Sequence, residues 1–297
     1  MTAADDLTRN ITAFGASMVP ARDMTLPQAW ALVEGYSRDG TIPTLLLPKV
    51  RDRKANITGA IVAGVEFRYV KSFNGQTGQV TDSWARPIQG DPTLGLDVRM
   101  IVLLVRLARL LRDKHGAGTI YHLGFDSAAD DMHRDGRAMD FVGIAGKNST
   151  GTFEINVFSH WKLQPVQMPA AFGTIAAGTK LPDWPENFHE TIFRLDPKTN
   201  GFLEVKSWYA GGAAELTAAF QMFKAVYDFA AAQGLDRTDN FGTTTIGKDS
   251  RNIFHPDYFK VSAPPDKDGR NDHFQHMHFQ IGTRHDPQAR GNRWLPV

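Results

Sequence analysis

The feature of the chain that could do chemistry most readily is the stretch Asp131-Met-His-Arg-Asp-Gly-Arg-Ala-Met-Asp140. Within it His133 and Asp140 lie seven residues apart, and residues 141–144 are apolar and strand-like. A helix would also place residues seven apart on one face, but the Asp135-Gly136 pair between them is a turn signal. The spacing therefore predicts a loop that runs into a β-strand and carries an imidazole and a carboxylate.

A second stretch, His273-Phe-Gln-His-Met-His278, lies near the other end of the chain. His276 and His278 are two residues apart, so on a strand both side chains point to the same side. The opposite side of that strand is apolar, with Met277, Phe279 and Ile281. The pattern predicts a strand with one face in the core and imidazoles on the other.

The two stretches together indicate one metal site. Zinc accepts neutral imidazole nitrogen and carboxylate oxygen, and a catalytic zinc uses three protein ligands with water in the fourth position. Two histidines and one carboxylate would suffice. Because the chain has no cysteine, thiolate ligands and disulfides are excluded. Either stretch alone is a weak signal, since a His-x-His strand is also an ordinary polar sheet face.

The pattern His133-x-x-Gly136-x-Ala138-x-Asp140, followed far downstream by a His-x-His strand, resembles the LAS zinc metallopeptidases. This superfamily includes D-alanyl-D-alanine carboxypeptidases, phage L-alanyl-D-glutamate endolysins, penicillin-insensitive murein endopeptidase and the hedgehog amino-terminal domain. The resemblance implies that His133, Asp140 and His278 bind zinc (Zn2+). It also implies an α+β fold, in which an antiparallel sheet carries the zinc site and long helices flank one side.

The chain departs from the superfamily in its candidate base and in its substrate-binding arginine. Carboxypeptidase members have a glutamate three residues before the last ligand, where this chain has Gln275, which cannot take a proton. The additional histidines resemble the murein endopeptidase branch, which implies His276, and less directly His273, as the catalytic base. The arginine that many members carry upstream is absent from the segment 124–126.

The resemblance implies a zinc-dependent peptidoglycan peptidase, an endopeptidase or carboxypeptidase in which a metal-activated water cleaves a stem or cross-link peptide bond. One alternative is an inactive LAS-fold structural or binding module, in which His276 or His273 completes a closed shell of four protein ligands. Another is a zinc amidohydrolase with a substrate outside the wall. Asp131 and Asp135 are candidates to hold a ligand imidazole by its outer nitrogen, although turn residues suit Asp135 better.

The composition of the chain argues against several other classes of function. The chain has 297 residues, 42% hydrophobic and 22% charged, with a formal net charge of +1, which predicts one or two ordinary globular domains. No run of Lys and Arg forms a stripe for a phosphate backbone, so nucleic-acid binding is disfavoured. No apolar run of 18 residues occurs, so no membrane span is expected.

The start of the chain has neither a basic segment nor an apolar run of signal-peptide length. We expect a protein made in the cytoplasm that reaches the periplasm or cell wall after lysis, by injection or by another route than Sec. Residues 1–50 are interpreted as an N-terminal extension, which either packs on the main domain or docks delivery or secretion machinery. Residues 51–297 are interpreted as the zinc peptidase-like domain.

Capping residues and periodicity predict the elements around the motifs. Helices are expected from Leu26 to Tyr36, from Asp97 to about Lys114, and from Ala213 to Gln233. Strands or hairpins are expected over 57–73, 119–125, 152–158 and 277–282. Residues 74–92 and an aromatic-rich insertion at about 160–212 are expected to be irregular, and the insertion either walls a substrate cleft or packs its own small core. Arg106 and Arg109 are expected on a solvated helix face.

Overall fold

The computed structural model describes residues 13–46, 54–74, 77–90, 95–125, 132–160, 164–167, 191–195, 202–206, 218–235, 253–254 and 275–282. The helices are α1 (Leu26–Arg38), α2 (Val98–His115), the single turn α3 (Val157–His160) and α4 (Ala218–Ala232). None of the helices in this part of the chain is long and apolar enough to cross a membrane.

Helix α2 begins and ends where its capping residues predict. The Asp97 carboxylate accepts a hydrogen bond from the Arg99 backbone N–H at 3.0 Å, and Gly116 ends the helix in the left-handed conformation with φ 67°. Helix α1 begins with a capping box between Thr25 and Gln28. Both predictions are confirmed, as is that of α4, although residues 213–217 lie outside the described part of the chain.

The strands follow in chain order. They are β1 (Leu45–Leu46), β2 (Lys54–Ile57), β3 (Ile61–Val62), β4 (Val65–Phe73), β5 (Val80–Ala85), β6 (Leu96–Asp97), β7 (Ala117–His122), β8 (Ala138–Asn148), β9 (Gly151–Asn156), β10 (Gln164–Gln167), β11 (Thr191–Leu195), β12 (Phe202–Lys206), β13 (Ile253–Phe254) and β14 (Met277–Gln280).

Eight of these strands form the main sheet, in the order β13-β14-β8-β7-β4-β3, with β5 on β4 and β9 on β8. Strands β4 and β7 are parallel, so the sheet that was predicted to be antiparallel is mixed at this one pair. A parallel pair needs a crossover, and α2 lies in the connection between the two strands. The combination of helices and a largely antiparallel sheet confirms an α+β fold.

The core lies between this sheet and the helices. Helix α2 contacts β3, β4 and β7, while α1 and α4 pack against α2. Phe67, Ile120 and Phe141 from the sheet are fully buried in one cluster with the apolar residues of α2. The face of the sheet opposite this core is where the side chain of Asp140 lies, because neighbouring strand residues alternate between faces.

The arginine face of α2 was expected to be solvated, but it packs against other parts of the chain. The Arg106 guanidinium donates to the carbonyl oxygens of Val19 at 2.8 Å and Ser17 at 3.0 Å, and to Gln233 Oε1 at 2.6 Å. The Arg109 guanidinium lies 5.1 Å from the centre of the Tyr36 ring. These arginines therefore join α2 to the N-terminal segment and to the end of α4.

Two segments expected to be irregular contain strands. Strand β5 lies within residues 74–92, and its polar Thr81, Asp82 and Ser83 gave no apolar alternation because the strand lies on an exposed part of the sheet. Within the insertion, β10, β12 and β11 pair in that order as a separate antiparallel sheet. The expectation of irregular structure is therefore wrong for these strands.

Candidate metal centre

The loop that carries His133 is a tight turn. The Gly136 N–H donates to the His133 carbonyl at 2.8 Å, and the Arg137 N–H donates to the Met132 carbonyl at 3.0 Å. Gly136 has φ 66°, a left-handed conformation that glycine adopts without strain. Strand β8 begins two residues later and contains Asp140, so the predicted loop running into a strand is confirmed.

Strand β14 brings the second motif to the first. It pairs antiparallel with β8, and His278 lies directly opposite Asp140. Residues opposite each other share a face of the sheet. Met277, Phe279 and Ile281 are buried on the other face, as predicted from their alternation with the histidines. The register of one strand pair thus places the two motifs side by side.

Three side chains converge with the spacing of a metal shell. Asp140 Oδ1 lies 2.8 Å from His278 Nδ1 and 3.2 Å from His133 Nε2, and the two imidazole nitrogens are 3.2 Å apart. Tetrahedral zinc with bonds of about 2.0–2.1 Å holds its ligand atoms roughly 3.3–3.4 Å apart. The ligand atoms of these three residues, all predicted from the sequence, therefore fit a metal ion.

His276 joins the cluster through the same carboxylate. Its Nε2 lies 3.4 Å from Asp140 Oδ1, and the residue is only 7% exposed. His276 precedes β14 and lies outside the strand. It is thus close enough to exchange a proton with a molecule bound at the cluster, or to act as a fourth ligand. His273, the other predicted base, lies outside the described residues.

Gln280 is a site residue that the sequence analysis missed. Its Oε1 lies 3.0 Å from His278 Nε2, and because an amide oxygen only accepts, the imidazole donates from Nε2. If a metal ion replaces the proton that Nδ1 shares with Asp140, Gln280 keeps the remaining proton on Nε2, so the lone pair of Nδ1 faces the metal. The signal was present in the sequence, since Gln280 continues the polar alternation of His276 and His278.

Asp140 is ionised within this cluster. Burial raises the pKa of its carboxyl group, but the charge of His276 and the hydrogen bonds with His133 and His278 outweigh burial, and the pKa lies well below its usual value. A carboxylate that stays charged at neutral pH is available as a metal ligand without loss of a proton.

His122 lies behind the site at the end of β7, opposite Phe141 in β8. Its ring packs against Phe125, with ring centres 4.5 Å apart, and against Phe67. Among the residues that the structure describes, neither ring nitrogen has a hydrogen-bond partner. Burial, with a smaller contribution from the charge of Arg86, lowers the pKa of His122 to about 3, so the ring is neutral at physiological pH.

Two aspartates, Asp131 and Asp135, were the remaining candidates, as groups that could hold a ligand imidazole. Asp131 lies outside the described residues, and Asp135 lies in the turn between His133 and β8. Another histidine, His160, lies in α3, where its Nδ1 accepts a hydrogen bond from the Asn156 N–H at 3.2 Å. That histidine holds the turn after β9.

Searches against protein-family models, curated proteins and solved structures found no match to the chain. The resemblance is thus confined to the two motifs around the cluster. The site, and not the fold, determines what chemistry a protein can perform.

Proposed function

We propose that this protein is a zinc-dependent peptidase that hydrolyses a peptide bond in the stem or cross-link of peptidoglycan. The observation that carries the proposal is the convergence of His133, Asp140 and His278 from two distant motifs, with His276 beside them. The choice of a wall peptide as substrate is supported by the resemblance of those motifs to the LAS metallopeptidases.

The donor set suits zinc. Two imidazole nitrogens and one carboxylate oxygen are ligands of intermediate softness, and three protein ligands leave a position for water or substrate. The outer nitrogen of His278 is held by Gln280, as is usual for metal-bound histidines. The burial of His133 and His276 limits the access of bulk water, which strengthens electrostatic interactions at the site.

A zinc ion bound here would lower the pKa of a water molecule toward about 7 and polarise a peptide carbonyl. His276 is placed to accept the proton of the attacking water at Nε2 and to deliver it to the leaving amine. Imidazole suits both transfers because it titrates near neutral pH. The Asp140 charge, 3.4 Å from that nitrogen, stabilises the imidazolium that forms in between.

One distance favours a second function. The 3.4 Å between His276 Nε2 and Asp140 Oδ1 also matches the edge of a tetrahedral zinc shell. If His276 were a fourth ligand, the shell would be closed and the zinc would hold the two strands together in a structural or binding module. The two functions predict different effects of removing His276: zinc affinity is largely kept if His276 is a base and is lost if it is a ligand.

The experiment measures zinc affinity and peptidoglycan cleavage in the same proteins. Wild type, His276→Ala, His278→Ala and the control His115→Ala, at the end of α2, are titrated with zinc against a chromophoric chelator. Each protein is then incubated with purified sacculi, and released fragments are identified by mass spectrometry. We expect His278→Ala to lose zinc and cleavage, and His276→Ala to keep zinc within about tenfold while cleavage falls by about 10²–10⁴.

Three results would contradict the proposal in different ways. A wild-type protein that does not bind zinc has no metal site of this kind. A zinc-loaded wild type that releases no fragments is not a wall peptidase. A His276→Ala variant that loses zinc as completely as His278→Ala has a closed site, which supports the structural module. His115→Ala is expected to behave as wild type throughout.

A further inference from the structure

A cluster of buried ionic side chains lies next to the loop that carries His133. Asp97 and Arg99 are 1% exposed and Arg137 is 3% exposed. Asp97 Oδ2 lies 3.4 Å from Arg99 Nη1 and 3.5 Å from Arg137 Nε. Two guanidinium groups thus share one carboxylate, and removing three charges from water is costly unless the groups are well paired.

Arg137 connects both metal motifs to the start of α2. It lies in the chain between His133 and Asp140, and its side chain contacts the N-cap residue Asp97. Its backbone carbonyl accepts a hydrogen bond from the Ile281 N–H at 2.9 Å, just beyond β14. The first motif is therefore attached to the second motif and to the helix by the same residue.

Gly136 fixes the loop against the same element. Its carbonyl accepts a hydrogen bond from the Asp97 N–H at 2.9 Å. A Cβ atom at Gly136 would lie 2.2 Å from the Gly95 carbonyl oxygen, so the loop backbone packs directly on the segment that enters α2. All of these contacts are formed by protein atoms alone.

We propose that Arg137 is a positioning residue, which with Asp97 holds the His133 loop in its metal-binding conformation before the metal arrives. The inference rests on the metal site proposed above. If the loop is already ordered before zinc binds, zinc binding loses little free energy to ordering it. Breaking the Arg137 contact would add that cost, so the variant should bind zinc more weakly. Arg99 shares Asp97, but its Nε donates to the carbonyl of Met24, ahead of α1, at 2.8 Å.

The two arginines therefore provide a matched pair of variants. Arg137→Met and Arg99→Met each remove one buried guanidinium and leave a balanced ion pair with Asp97. We expect Arg137→Met to raise the zinc Kd by about 10–100-fold, the range found for residues that orient ligands. Arg99→Met should leave the Kd within about threefold of wild type. The visible spectrum of the cobalt-loaded protein should change in Arg137→Met and not in Arg99→Met.

Hydrogen exchange of the unmutated protein tests the same inference without relying on the folding of a variant. In zinc-free protein, the amides of Gly136, Arg137 and Ile281 should already be protected, because their hydrogen bonds do not involve the metal. Protection that appears only after zinc is added would overturn the inference, as would equal Kd values for the two arginine variants. Absence of zinc binding by wild type would instead remove the metal site itself.

Discussion

Gln280 offers the sharpest test of how the proposed metal centre would be held. Its Oε1 accepts the Nε2–H of His278 at 3.0 Å, and the residue is 8% exposed. Replacing it by leucine keeps a buried side chain of similar size and removes the amide oxygen that accepts a hydrogen bond from the imidazole. The His278 ring would then lose the contact that holds the proton on its Nε2.

The expected loss can be estimated from this one hydrogen bond. Leaving the buried imidazole N–H unpaired costs about 1–3 kcal/mol. Since about 1.4 kcal/mol corresponds to a factor of ten in affinity, zinc should bind about 5–140-fold more weakly to Gln280→Leu. Glutamate at the same position would accept a charge-assisted hydrogen bond that is roughly twice as strong, so Gln280→Glu should bind zinc about fivefold more tightly.

Zinc competition against a chromophoric chelator at neutral pH measures both changes. Gln221→Leu, on the exposed side of α4, is the matched control and should bind zinc as wild type does. If Gln280→Leu keeps wild-type affinity while His278→Ala loses it, the hydrogen bond does not orient the ligand. If Gln280→Glu binds more weakly than wild type, the added charge does not increase the basicity of His278.

Two further predictions concern stability. Gly136→Ala should lower the free energy of unfolding by about 2–5 kcal/mol in chemical denaturation. The alanine would have to adopt a left-handed conformation, and its Cβ would clash with the Gly95 carbonyl. Gly118→Ala is the control and should not lower the free energy of unfolding in this way, because a Cβ at residue 118 meets open space. As pH falls from about 6.5 toward 3, the unfolded chain binds a proton at His122 that the folded chain excludes. The free energy of unfolding of wild type should therefore fall by about 1.4 kcal/mol per pH unit over this range. His122→Phe should remove this pH dependence. Equal slopes of stability against pH for wild type and His122→Phe would contradict the assigned neutral state.

The elements predicted correctly are those determined by local contacts. Helix α2 is specified by Asp97 at one end and Gly116 at the other, and its apolar stripe is continuous between them. Strand β14 is specified by a period of two. Strand β5 forms by pairing with β4, and β4 pairs in parallel with β7, which is distant in sequence. The residues within these strands do not reveal which neighbour each strand will pair with.

The residues of the site also differ in whether the sequence alone could identify them. Ligand chemistry and spacing indicated a metal site formed by the two motifs, and the resemblance to the LAS metallopeptidases pointed to His133, Asp140 and His278 as its ligands. Arg137 could not be selected, since its importance arises from a contact with Asp97 that only the folded chain creates. A buried arginine in a turn sequence is indistinguishable from a solvated one until its partner is known, and the same limit applies to Arg106.

The backbone around His276 is consistent with the role of base proposed for it. Pairing of β14 with β8 begins at Met277, so His278 is fixed by the ladder while His276 lies just outside it. A structural ligand gains from a rigid backbone, whereas a group that takes a proton from water and passes it to an amine must reach two positions. The two histidines point to the same face, but only one is held in register opposite Asp140, which suits the division between ligand and base.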